Sequence, residues 1–158
     1  MFLLSTMDFY MHEIVKYGIL KIFKRERTRT KSYKEFIVSL ETVEKAIASP
    51  ESVDWLDAEI VHRNHHKTFL EPEKIKGQLS LISTKNIFNI AATEISDNST
   101  LANDLKDLYK RRNAIAHQTD RDNSSGVLNN IDSKDVNKYI TLVSNFIEIV
   151  HREIMNET

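Results

Sequence analysis

The chain lacks cysteine altogether and has only three glycines and two prolines in 158 residues. Without cysteine there is no disulfide and no thiolate zinc site. That fits a reducing compartment, and the cytoplasm is the expected location. So little glycine and proline disfavours a turn-rich β fold and favours long helices. No apolar run approaches the ~20 residues of a membrane span. The first six residues are apolar at the start but carry no basic stretch, so they do not read as a secretory signal. The net charge of −1 is not the footprint of general nucleic-acid binding, so any contact with RNA must come from a local patch.

Helical periodicity is what the chain has instead. Its length suits one domain, residues 1–158, large enough to bury a core. Met7, Met11, Ile14, Gly18 and Ile22 form one helical stripe, widened by Phe9, Tyr10 and Tyr17. Ser32-Tyr-Lys-Glu35 has the pattern of a capping box, and Phe36, Leu40, Val43 and Ile47 follow as the core face of a second helix ending before Pro50. Those two helices are expected to pair antiparallel. Pro72 suits the first turn of a third helix, with Ile75, Leu79 and Ile82 inward. Thr84 is the expected cap of a fourth, carrying Ile87, Phe88, Ala91 and Ile95. Asp97–Thr100 supplies capping residues for a fifth, and Asp132–Asp135 opens the last, striped by Val136, Ile140, Val143, Ile147, Val150 and Ile154. The last helix is expected to pack on the fifth as an antiparallel partner, and the expected architecture is an all-α, up-and-down bundle of five to six helices.

Two stretches leave alternatives open. Lys21–Lys31 holds six basic residues against one acidic. It reads either as a strip that tracks phosphates or as a solvated helix end whose cations complement the helix dipole. Glu51–Glu71 holds the only tryptophan, Trp55, and the cluster His62-Arg-Asn-His-His66. No Glu sits between histidines as in H-E-x-x-H, and neighbouring His65 and His66 are expected to point apart. The stretch is therefore read as a surface loop near an RNA groove, or as a crossing connection pinned by Trp55 and Phe69, with no metal.

The chemistry concentrates in Lys110–Arg121, K-R-R-N-A-I-A-H-Q-T-D-R. Leu101, Leu105 and Leu108 step along one helix face, and the next position on that face is Arg112. A guanidinium cannot lose its charge, and burying it unpaired is costly. Arg112 therefore calls for an anion, a polar groove or a subunit interface. His117 lies five residues on, about 140° round an ideal helix and about 7.5 Å along it. Asn113 and His117 share a face, and Asp120 follows one turn later. A second copy of the helix would bring another Arg and His to the same groove. A guanidinium forks onto phosphate oxygens, and an imidazole moves protons near neutral pH.

Arg112, Asn113, Ala114, Ile115, Ala116 and His117 resemble the motif of HEPN-superfamily ribonucleases, an Arg followed by four to six residues and then His, often with a polar residue directly after the Arg. The wider R-R-N-A-I-A-H-Q-T-D-R-D, with a later glycine and a final helix, is most similar to the RiboL-PSP-HEPN branch. The resemblance covers Leu101–Val150. Many superfamily toxins paired with a nucleotidyltransferase antitoxin carry Tyr two residues after the His, where this chain has Thr119.

The resemblance implies a HEPN-like helical domain and a metal-independent endoribonuclease without a cofactor, its composite site formed where two motif helices meet in a homodimer. It implies Arg112 and His117 as catalytic, Asn113 and Asp120 as supporting, and Lys110, Arg111 and Arg121 as holding flanking RNA phosphates. It also implies a toxin or antiviral-defence setting, with an antitoxin or other defence-system protein as partner and no membrane. A non-catalytic HEPN module that binds RNA, a nucleotide or a protein partner is the alternative. Dipole complementation by a Lys-Arg-Arg cluster late in a helix needs no function at all.

Overall fold

The computed structural model describes residues 2–117, 121, 125–127 and 132–157, with the side chain of His117 outside that set. The described residues are all-α and contain no β-strand. Among the described residues eight helices follow one another: α1 (Phe2–Phe23), α2 (Lys31–Lys34), α3 (Leu40–Ala48), α4 (Asp54–Asn64), α5 (Pro72–Ile82), α6 (Ile87–Ile95), α7 (Asn98–His117) and α8 (Ser133–Met155). Among the described residues, no helix is long and apolar enough to cross a membrane.

The spine is α1. Its stripe of Met7, Met11, Ile14, Gly18 and Ile22 is buried as the periodicity predicts, and Val15 and Ile19 broaden it. Tyr10 and Tyr17 pack at its edge, whereas Phe9 is two-thirds exposed and adds nothing to the core. Around this spine lie α5, α8 and α4. At Gly18 α5 comes close to α1: a Cβ there would stand 2.5 Å from the Cβ of Ile82. Pro72 opens α5 from its first turn, and Ile75, Leu79 and Ile82 point inward. On the other side α6 buries Ile87, Phe88 and Ala91, and the Phe88 ring meets Phe146 of α8 edge-on.

The second helix departs from expectation. The capping residue is Thr30, whose side chain accepts from the Tyr33 amide and donates to Leu81 O. The resulting helix lasts one turn, and Ser39 caps a separate one. On α3, Leu40 is 83% exposed and Ile47 75%, so the stripe assigned to the core faces outward. Polar contacts hold α3 instead. The buried Glu59 carboxylate of α4 accepts from Thr42 Oγ1 at 2.6 Å and from the Ser39 amide at 3.3 Å, and Arg63 donates to Ile37 O at 2.6 Å. α3 packs on α4, not antiparallel to α1. Residues 54–64, expected as a loop or a crossing connection, form a helix that buries Leu56 and Ile60. Phe69 and Leu70 are buried just after it, and Trp55 sits edge-on to Phe23. The split of the second helix and this unforeseen α4 turn six expected helices into eight.

Two further expectations are corrected. The cap of α6 is Asn86, whose side chain accepts from the Asn89 amide at 3.1 Å, whereas Thr84 donates to Glu157. α8 packs chiefly on α6 and α1, and α7 packs on α6. α8 is therefore not the antiparallel partner of α7. The two meet through the Lys138–Asp104 ion pair at 3.0 Å and along the walls of a cavity.

The basic stretch 21–31 is partly consumed by the fold. Lys21 pairs with Glu26. Arg27 is 6% exposed, lies 5.8 Å over the Tyr17 ring and donates to Ile154 O near the end of α8. A cation at a helix C-terminus satisfies an orphan carbonyl and complements the dipole.

Candidate functional site

The motif helix starts at a strong cap. The Asp97 carboxylate accepts from the Thr100 amide at 2.8 Å and from the Ser99 and Thr100 hydroxyls. Those bonds favour the ionised form and hold its pKa down to about 2. From this cap α7 runs unbroken to His117. Leu101, Leu105 and Leu108 are buried along one face, and exposure rises from 0% at Leu101 to 8% at Leu108 as the helix leaves the core.

Beyond Leu108 the stripe enters an open cavity of about 270 Å3. α1 contributes Leu3 and Leu4 to its wall. From α7 come Leu108, Arg111, Arg112 and Ile115, and from α8 Asp135, Val136, Tyr139 and Ile140. Val136 is 41% and Ile140 44% exposed, because the first two turns of α8 overhang the core that their later turns help to build. Asp132 caps that helix end by accepting from the Lys134 amide.

Arg112 is half-buried where the apolar stripe meets the cavity. Its Nη1 donates to Asn113 Oδ1 at 3.0 Å, the one acceptor it has among the described residues. Its Nε is buried with no hydrogen-bond partner, which costs about 1–3 kcal/mol for a group of this kind. No carboxylate among the described residues pairs with it. Asn113 thus fixes the guanidinium with a neutral dipole and leaves its charge uncompensated there.

The other sequence-predicted residues are dispersed. Arg111 lines the same cavity. Lys110 is exposed and lies 3.7 Å from Asp107, a surface pair of little energetic weight. Arg121 donates to Gly126 O at 2.9 Å. His117 ends α7, so the five-residue offset from Arg112 is carried by continuous helix. The His117 side chain and Asp120 lie outside the described residues. Sequence reasoning missed Asp135 and Tyr139. Their one-turn spacing carried no signal of its own, because only the approach of α8 to α7 brings them to the cavity.

The histidine cluster is elsewhere. The rings of His65 and His66 have centroids 3.4 Å apart, and His62 stacks on His65 at 6.0 Å. The expectation that the neighbours point apart is thus corrected, because α4 ends at Asn64 and the chain turns there. None of the three lines the cavity. Among the described residues, no group of three or more His, Asp or Glu side chains is arranged to hold a metal.

Comparison with known proteins finds no family model that matches this chain, no similar curated protein and no similar solved structure.

Proposed function

We propose that the protein is a metal-independent endoribonuclease acting as a homodimer. One observation carries the reading: the Arg112 guanidinium stands at an open cavity with a single neutral acceptor and a buried, unpaired Nε among the described residues. A permanent cation held in that state is prepared for an anion that arrives from outside, and a phosphodiester is such an anion. The resemblance of residues 101–150 to HEPN ribonucleases supports the choice of RNA.

RNA carries its own nucleophile, so the protein need only position, move protons and stabilise charge. The ribose 2′-oxygen attacks the adjacent phosphorus and gives up its proton to a base. The bond to the 5′-oxygen breaks, and that oxygen takes a proton from an acid. The products are a 2′,3′-cyclic phosphate and a free 5′-hydroxyl. His117 supplies the proton transfer, and Arg112 holds the non-bridging oxygens as negative charge builds. Asn113 positions the guanidinium. Arg112 and His117 lie about 140° apart on one helix, so a twofold partner that pairs the Arg of one copy with the His of the other completes the site.

The test is purified full-length protein with fluorescent RNA in EDTA. Cleavage with cyclic-phosphate ends is expected, and its loss in Arg112→Ala and His117→Ala. RNA left intact by the wild type across varied substrates would overturn the reading. The alternative, a non-catalytic helical module that binds RNA, a nucleotide or a protein, draws on the largely apolar cavity wall, which suits holding a ligand. Binding without cleavage in the same assay selects it. A toxin or defence role, restrained by an antitoxin or other partner protein, extends the enzyme reading. Toxicity on expression, relieved by the same two substitutions, tests it.

A further inference from the structure

We propose that the cavity between α1, α7 and α8 is a nucleobase subsite, and that the base it takes is a guanine of single-stranded RNA. The proposal rests on the ribonuclease reading and adds a substrate preference to it. The cavity, of about 270 Å3 and open to solvent, has room for a planar ring system. Its wall combines aliphatic side chains with one aromatic, Tyr139, and one carboxylate, Asp135. An apolar slot with a few convergent polar groups is the usual form of a small-ligand site.

The polar groups decide the class of ligand. An acyl chain would gain nothing from a carboxylate in the wall. An unstacked base uses both kinds of wall, since its faces stack on aromatic and aliphatic side chains and its edge hydrogen-bonds. Asp135 and Tyr139 are one turn apart on α8 and both line the cavity, so ring and carboxylate act on one ligand. An ionised carboxylate only accepts hydrogen bonds, through two oxygens side by side. Guanine alone among the four RNA bases presents two adjacent donors, N1–H and N2–H, on its pairing edge. Adenine, cytosine and uracil each set an acceptor beside their donor there, against the second oxygen. Arg112, on the facing helix, then meets the phosphate attached to the bound nucleoside.

The experiment measures binding of the four nucleoside 3′-monophosphates to the full-length protein in EDTA, by calorimetry. A second arm uses short single-stranded RNAs with one guanosine or none, scored for binding and for cleavage position. Guanosine 3′-monophosphate should bind about tenfold tighter than the other three, the discrimination of one good bidentate contact. Asp135→Asn, at an exposed position that leaves the core intact, should abolish that preference. Tyr139→Leu, which keeps apolar bulk, should weaken all four nucleotides alike by about fivefold or more. Equal affinity for the four nucleotides, no binding at millimolar concentration, or a preference untouched by Asp135→Asn overturns the proposal. Selective binding of the mononucleotide with no gain from a guanosine in the RNA overturns the RNA source of the base. Cleavage without guanine preference would remove the subsite and leave the ribonuclease standing. Guanine-selective RNA binding with the strand left intact would do the opposite.

Discussion

Two stretches of this chain concentrate basic residues, six Lys and Arg in Lys21–Lys31 and four in Lys110–Arg121, and the fold treats them differently. In Lys21–Lys31 the structure spends charge internally: Lys21 pairs with Glu26, and the buried Arg27 donates to a carbonyl near the end of α8. In Lys110–Arg121 the half-buried Arg112 has only the Asn113 amide oxygen among the described residues, beside an open cavity. Each arginine keeps one buried donor unmet among the described residues, Nη1 of Arg27 and Nε of Arg112, but the first closes a helix end inside the fold and the second stands at an open cavity. A basic run in a sequence thus carries no fixed meaning; what matters is whether a backbone carbonyl, a carboxylate or empty space lies opposite.

The largest expected effect tests the functional half of that contrast. Arg112→Met should lower RNA cleavage by at least about 100-fold, as loss of a transition-state contact does, and leave stability within about 1 kcal/mol because one unmet donor is removed with the charge. Cleavage rates and denaturant midpoints on the same preparation check both. A marked loss of stability would make Arg112 a structural residue like Arg27. Next, Arg27→Met should destabilise by about 1 kcal/mol, the loss of a hydrogen bond from a charged group partly offset by removal of the unmet Nη1 donor. Any folded fraction should keep its activity.

A smaller effect concerns the start of the motif helix. Asp97→Ala should lower stability through loss of the N-cap. The pKa of Asp97 is lowered from 3.8 to about 2. Its contribution is therefore complete above the unfolded value and disappears as pH falls through that window. Between pH 5 and pH 2 the wild type should lose a stability increment that Asp97→Ala no longer has, as denaturant titrations at each pH will show. The smallest effect is at Leu40: Leu40→Glu should change stability by no more than about 0.5 kcal/mol, since the side chain is 83% exposed. A loss of several kcal/mol, measured by thermal unfolding, would return α3 to the core.

Much of the fold was legible in the sequence wherever the signal is local. The stripe of α1, Pro72 at the start of α5, Asp132 at the start of α8 and the Leu101–Leu105–Leu108 face of α7 all sit as their spacing predicts. The Leu40–Val43–Ile47 stripe misled, because helical period shows that one face is apolar and not that anything covers it. In the site, Arg112 stood out as a charge where an apolar residue was due, and the structure sets it at a cavity. The site's further wall could not be read, since Asp135 and Tyr139 carry no mark until α8 is placed.

By itself, the sequence determined the helical class, the starts of α5, α7 and α8 and the out-of-place arginine, because caps, proline positions and a 3.6-residue period act between near neighbours in the chain. Only the tertiary structure decided that α8 lies on α6 and α1 rather than along α7, that α3 turns its apolar face outward, and that a cavity opens beside Arg112. Those outcomes depend on which distant surfaces fit one another, and packing of that kind leaves no periodic trace in either partner alone.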